Sequence, residues 1–291
     1  MSIPQKAFLW TAISMTMFAA NSIFVRLALV EGNIGAGAFS AIRVFSGAMM
    51  LLLLTLVMGR KLRGSWQGAL ALFGYVFFFS YAYVSLSAGI GALILFACVQ
   101  MTMLGVGLFL GERLSSIQIV GVVLAFVGLG WLLLPASSLA TSMAAPSLVS
   151  AGAMALAGVS WGIYSLLGRS AKDPIAETAG NFLRASPLTL VLVGIAVSVR
   201  PEAMPEQEGI VLALASGVIS SGLGYTVWYL TLPMLTAIRA GIAQLTVPII
   251  AAVGGVLFIS EPVTLRLAVA GLLVLSGVGL ASFGHRVTVK K

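Results

Sequence analysis

The chain has one cysteine, one histidine and eight acidic residues in a length of 291. A lone cysteine, Cys98, excludes an internal disulfide framework and a thiolate metal cluster. The one histidine, His285, follows the last apolar run, so no histidine cluster exists for metal binding or catalysis. Charged residues make up 8% of the chain and hydrophobic ones 60%. A water-soluble domain carries about a quarter charged residues, so composition argues against a soluble globular enzyme. The apolar residues have to face lipid.

What is present is a succession of apolar runs. One span takes about 20 residues, and runs of that size fall at 7–29, 36–58, 67–86, 90–110, 117–134, 148–168, 177–198, 209–230, 236–258 and 265–284. The third and fourth are parted only by Ser87-Ala88-Gly89. An all-α polytopic membrane protein of ten spans is expected, with the first run retained as a helix because no small-x-small cleavage site follows it. The net charge of +8 would suggest nucleic acid in a soluble chain. Here no nucleic-acid-binding signature accompanies it, and the basic residues lie mostly between runs. With the N-terminus inside, Lys6, Arg60, Lys61, Arg63, Arg113, Arg169, Lys172, Arg286, Lys290 and Lys291 fall on the cytoplasmic side, against Arg26, Arg200 and Arg266 outside. That bias places both termini in the cytoplasm and the chain in the inner or plasma membrane.

The sequence also repeats. Leu108-Phe109-Leu110-Gly111-Glu112-Arg113-Leu114 resembles Leu257-Phe258-Ile259-Ser260-Glu261-Pro262-Val263 at an offset of 149 residues, which also pairs Gly105 with Gly254. Earlier in the halves an offset of 141 pairs Arg43 with Arg184 and Asn21 with Gly162. The expected division is 1–140 and 141–291, five spans each. Five is odd, so the second half is inverted relative to the first. Inverted repeats in membrane carriers point to alternating access around a site near the midplane.

Gly111-Glu112-Arg113-Leu114, Ser260-Glu261-Pro262-Val263, the pair Trp161-Gly162, Arg43, and Pro248 ahead of Gly254-Gly255 occur in an order that resembles the drug/metabolite transporter superfamily, in particular its EamA group of ten-helix exporters. The resemblance implies helices 1, 3, 4, 6, 8 and 9 around a central cavity, with helices 5 and 10 peripheral. It also implies export of amino acids or related small metabolites, most like the aromatic and neutral amino-acid exporters. The sequence departs from the family's pattern at Val99-Gln100, where a proline often matches Pro248, and at Asn21-Ser22, where a Trp-Gly pair is usual.

Polar and aromatic groups at span depth are the candidates for chemistry, because polar groups in lipid turn inward. Arg43 and Arg184 could grip a carboxylate through a planar guanidinium or could act as gating or structural residues, the reading preferred here for their matched positions. Asn21, Gln100 and Gln244 could contact substrate or bond between helices. Tyr81, Met101, Trp161, Tyr164, Tyr225 and Trp228 are candidate cavity-lining side chains, with an interfacial aromatic belt as the bland alternative. Glu112 and Glu261 close apolar runs, and their expected role is to accept the amides opening the following span. Pro248, Gly254 and Gly255 mark a stretch where the ninth span could bend. Glycines 121, 128 and 130 in the fifth run and 271, 277 and 279 in the tenth form small faces for close packing.

With no carboxylate in mid-span, facilitated transport is favoured over proton coupling. An intramembrane enzyme lacks a catalytic constellation, and a channel lacks charged rings. No cofactor or metal is expected; the partners are a small-molecule substrate and the bilayer, with no nucleic acid and a monomer preferred to a dimer. The rival within the same fold is an exporter or flippase of drugs, nucleotide-sugars or lipid-linked sugars.

Overall fold

The computed structural model describes residues 3–109, 111–133, 146–168, 171–199, 202, 204–235, 243–283 and 287–288. Ten helices run through them: α1 Ile3–Val30, α2 Ala36–Val57, α3 Trp66–Ala82, α4 Ala88–Phe109, α5 Ser116–Leu133, α6 Leu148–Gly168, α7 Pro174–Val199, α8 Gln207–Met234, α9 Thr246–Ile259 and α10 Leu265–Phe283. Seven of them are long and apolar enough to cross a membrane, and α9 and α10 are shorter apolar helices. The weak break between the third and fourth runs is real: Gly91 N–H donates to the Ser87 carbonyl at 2.9 Å, and α4 opens at Ala88. The only regular pairing besides helix among the described residues is a two-residue antiparallel bridge of Glu112–Arg113 with Val287–Thr288.

Local signals set several helix ends. Ser65 adopts an extended conformation and its hydroxyl accepts the Gly68 N–H at 3.0 Å, which caps the start of α3. Thr264 does the same for α10, accepting the Leu267 N–H at 2.9 Å. At the other end of α9, Ser260 turns into the left-handed region with φ 55°, and Glu261 N–H closes on the Gly255 carbonyl at 3.0 Å.

The packing has a two-fold pattern. Helix α2 lies against α7, α4 against α9 and α5 against α10; α3 against α6 is matched by α8 against α1, and α4 against α6 by α9 against α1. Each contact is thus reproduced when α1–α5 are exchanged with α6–α10. The α5–α10 seam is a backbone approach. A Cβ on Gly121 would sit 2.5 Å from the Gly277 carbonyl, and one on Gly277 would sit 2.6 Å from the Gly121 carbonyl. Gly128 also faces α10, whereas Gly130 and Gly271 have nothing within 4 Å and Gly279 only a loose contact, so three of the six glycines make the seam. Outward-facing Phe109, Val149, Leu257 and Leu272 are each more than two-thirds exposed, a surface suited to lipid.

The ninth span differs from its expected form. Residues 236–242 lie outside those described; residues 243–244 are helical, Leu245 is a turn, and α9 then runs unbroken from Thr246. The interruption therefore precedes Pro248 and does not fall at Gly254-Gly255. A proline ring clashes with the carbonyl four residues back, here Gln244, and the proline fits where no N–H is needed, in the first helical turn.

Candidate substrate cavity

Helix α8 carries the irregularity that builds the site. Residues Ser216–Leu223 form a π-helical segment between α-helical stretches, a rare form that concentrates at functional sites. The wider turn presents Ser216, Ser220 and Ser221 to the interior, and all three are buried. Gly217 lets α8 come onto α2: a Cβ there would collide with the Ser46 hydroxyl and the Arg43 carbonyl.

Around these serines a buried polar cluster joins four helices. The Ser216 hydroxyl donates to Asn21 Oδ1 at 2.6 Å, and Asn21 Nδ2 donates to the Tyr75 hydroxyl at 3.2 Å. Arg43 Nη2 donates to the same Tyr75 oxygen at 3.0 Å, and Arg43 Nε donates to Ser221 Oγ at 3.3 Å. The guanidinium stands 5.1 Å from the Tyr75 ring centroid and 4.9 Å from that of Phe79, within cation–π range. Arg43 is 0% exposed, and its Nη1 has no hydrogen-bond partner among the described residues; neither has Ser220 Oγ.

Beside the cluster lies a central cavity of about 20 Å³, lined by Asn21, Ser22, Tyr75, Trp161, Ser220 and Tyr225 among others. Residues of α1, α3, α4, α6 and α8 form its wall. Trp161 is its aromatic centre, with ring centroids 4.8 Å from Tyr75, 5.1 Å from Tyr225 and 5.4 Å from Tyr164. Beyond Tyr164 a second, polar cavity of about 210 Å³ opens between α3, α6, α7 and α8, lined by Gln67, Tyr164, Glu177, Thr178, Asn181 and Tyr229 with neighbours. Tyr164 donates to Thr178 Oγ1 at 3.1 Å on its wall. The two cavities are separated by the Trp161–Tyr164 stack.

The two ends of the bundle are tied differently. At the end where α1 finishes, Arg26 Nε pairs with Glu261 Oε1 at 2.8 Å, its Nη1 donates to the Tyr83 carbonyl at 3.1 Å, and Glu261 Oε2 accepts the Ala88 N–H at 2.8 Å. Glu202 accepts the Gly37 and Ala38 amides at 3.0 and 3.3 Å and the Tyr81 hydroxyl at 3.3 Å. Two carboxylates thus sit on the positive ends of α4 and α2. At the opposite end Arg60 pairs with Asp173 at 2.6 Å and Asn181 Oδ1 accepts the Ser65 amide at 2.8 Å, and there the larger cavity lies.

The sequence-predicted residues separate accordingly. Asn21, Trp161 and Tyr225 border the central cavity and Tyr164 the larger one. Tyr81 stands at the Glu261 end on Glu202. Trp228 is buried with its ring 6.0 Å from Phe18, and Gln100, Met101 and Gln244 are half-buried; none of these four is among the residues lining either cavity. Arg184 donates back to the Gly180 carbonyl of its own helix at 2.9 Å, so its surroundings differ from those of Arg43. Pro248 is buried, a Cβ on Gly254 would strike Ile23 of α1, and Gly255 lies beside Glu261 and Ala88. Glu261 accepts a helix-opening amide, but that of α4, not of the following α10, which Thr264 caps instead. The Glu112 side chain and His285 lie outside the described residues. Sequence reasoning missed Tyr75, the serines of α8, Glu177 and Glu202. Three serines within six residues of an apolar run were the available signal for α8.

Ten helices around buried cavities, in a shell of exposed apolar side chains, define a multi-pass membrane carrier. The chain belongs to the EamA-like transporter family, whose sequence model matches residues 5–134 and 149–283. It is 46% identical over 279 residues to an uncharacterized protein of Pseudomonas aeruginosa, covering 95% of this chain and 94% of that one. It is 27% identical over 301 residues to the threonine/homoserine exporter RhtA of Salmonella typhimurium, covering 99% and 95%. It is 32% identical to the Escherichia coli RhtA over 191 residues, covering 65% of this chain and 60% of that one. A solved crystal structure shares the fold with a TM-score of 0.61 at 20% identity, over 94% of this chain and 98% of the other. The protein is therefore a membrane transporter with a small-molecule substrate.

Proposed function

We propose that this transporter exports amino acids or closely related small metabolites from the cytoplasm by alternating access, as a facilitated carrier. The observation that carries the reading is the position of the polar cavity of about 210 Å³: it lies at the end tied by Arg60–Asp173, with Trp161 and the central cluster behind it, while the other end is fastened by Arg26–Glu261 and by Glu202. Such a difference between the two ends fits a rocking carrier. The exporter names of the RhtA relatives support the amino-acid class.

The matched stretches 5–134 and 149–283 and the exchangeable helix contacts support two inverted halves divided near residue 140. The positive-inside bias supports both termini in the cytoplasm of an inner-membrane protein, which puts the Glu261 end outside and the larger cavity inside. Uptake of labelled amino acids, nucleotides and hydrophobic cations into proteoliposomes tests the function. Flux of amino acids is expected, and its absence with flux of another class would overturn the substrate assignment.

A further inference from the structure

Arg43 is a buried cation with no anion paired to it among the described residues. Arginine does not give up its proton in proteins, so the charge cannot be relieved by titration. Among the described residues the two ion pairs are Arg26–Glu261 and Arg60–Asp173, and Arg43 belongs to neither. Its polar and ring contacts are two neutral hydroxyls and two aromatic faces, and Nη1 has no hydrogen-bond partner among the described residues. Burying an ion is costly unless attraction and hydrogen bonds offset it, and an opposite charge offsets it best. Arg43 is not itself among the residues lining the central cavity; it lies behind Tyr75 and Phe79, which are, and Ser220, whose oxygen has no partner among the described residues, stands on the wall next in sequence to the serine that Arg43 contacts.

We propose that Arg43 is the anchor for the carboxylate of the transported solute, with the Ser220 hydroxyl as a second donor and the Asn21–Tyr75 pair fixing the guanidinium. This rests on the reading of the chain as a small-metabolite exporter and narrows the substrate to solutes that carry a carboxylate. The structure is the contracted state: a cavity of about 20 Å³ holds little more than one water, and the solute enters when the Trp161–Tyr164 layer opens toward the larger cavity. The carboxylate then supplies the missing negative charge. The aromatic rings, already over the guanidinium, accommodate the rest of the solute.

The test is competition for labelled L-threonine uptake in proteoliposomes by unlabelled L-threonine, L-threoninamide and 1-amino-2-propanol, which keep the side chain and amine but replace or remove the carboxylate. In the wild-type protein the two carboxylate-free compounds are expected to compete at least about tenfold more weakly, the size of one lost charge-assisted contact. In Arg43→Gln the preference for threonine over threoninamide should collapse toward one; Arg43→Lys, which keeps charge but loses the fork, should fall between; and Ser220→Ala should reduce the preference without abolishing it. A merely structural arginine would lower binding of all three compounds together and leave their ratio unchanged, which would overturn the proposal. Equal competition in the wild-type protein would overturn it with no variant needed, even if Arg43→Gln fails to fold, and would leave the exporter reading intact. Stabilisation of the purified protein by chloride with no response to any carboxylate would also refute it. Wild-type vesicles that carry no amino acid but do carry a solute class without a carboxylate would sink the amino-acid reading and this proposal with it.

Discussion

Trp161 meets the rings of Tyr75, Tyr164 and Tyr225 and also borders the central cavity, so it is both packing and wall. Aromatic pairs contribute about 0.5–1.5 kcal/mol each beyond area burial. Because one face already borders the central cavity, Trp161→Ala enlarges that cavity instead of opening a separate one. The expected outcome is a rise in apparent KM of about tenfold, equivalent to about 1.4 kcal/mol, with the yield of monodisperse protein nearly unchanged. Parallel loss of yield and transport would show the ring to be packing alone. The interior placement of Asn21 and Arg43 was legible in sequence because each interrupts an apolar run, and that of Trp161 because it shares a helical face with Tyr164. Tyr75 was not, since a tyrosine among the aromatics of the third run carries no sign of which face it takes. Glu202 was hidden for a different reason: it acts from a connection on amides 165 and 164 residues away.

Helices were placed closely by apolar runs, and their irregularities were not. The π segment of α8 reads in sequence as ordinary helix, because hydrophobic periodicity responds to the run as a whole and not to one widened turn. Its tight seat on α2 gives a direct prediction. Gly217→Ala should force α2 and α8 apart and lower the melting temperature of the purified protein, by an overpacking cost of about 1–3 kcal/mol; an unchanged melting curve would refute the close approach. The Arg26–Glu261 pair makes a second. Hydrogen bonds to charged groups are worth about 1.5–3 kcal/mol, so Glu261→Gln should weaken the fastening of α1 to α9 and α4. In a Cys98→Ala background, a cysteine at Ser87 should then react several times faster with a membrane-impermeant thiol reagent. No change in labelling would mean that the pair does not hold that end. Glu261 was recognisable as a helix-end anchor, but sequence proximity suggested α10, whereas folding brings it to Ala88, 173 residues away.

For the whole molecule, charge is the property that composition made conspicuous by its scarcity and that the fold distributes by function. Acidic groups hold the ends, and among the described residues no carboxylate lines the central cavity. Glu177, in the first turn of α7, lines only the larger cavity. Collapsing the pH gradient across proteoliposomes is therefore expected to leave amino-acid flux unchanged. A flux that disappears would establish proton coupling and direct attention to Glu177. The orientation is checked by fusing reporters to the C-terminus: green fluorescent protein should fluoresce and alkaline phosphatase should be inactive, and the reverse pattern would invert the assignment of the two ends.

The α5–α10 seam has a mechanical consequence. Gly121 and Gly277 leave no side chain between two backbones, so the contact cannot slide by repacking rotamers as an interface of large side chains could. It belongs to both five-helix groups and lies apart from the cavity wall, which neither helix reaches. It is therefore a stiff line of contact between α5 and α10, set apart from the cavity that Trp161 borders.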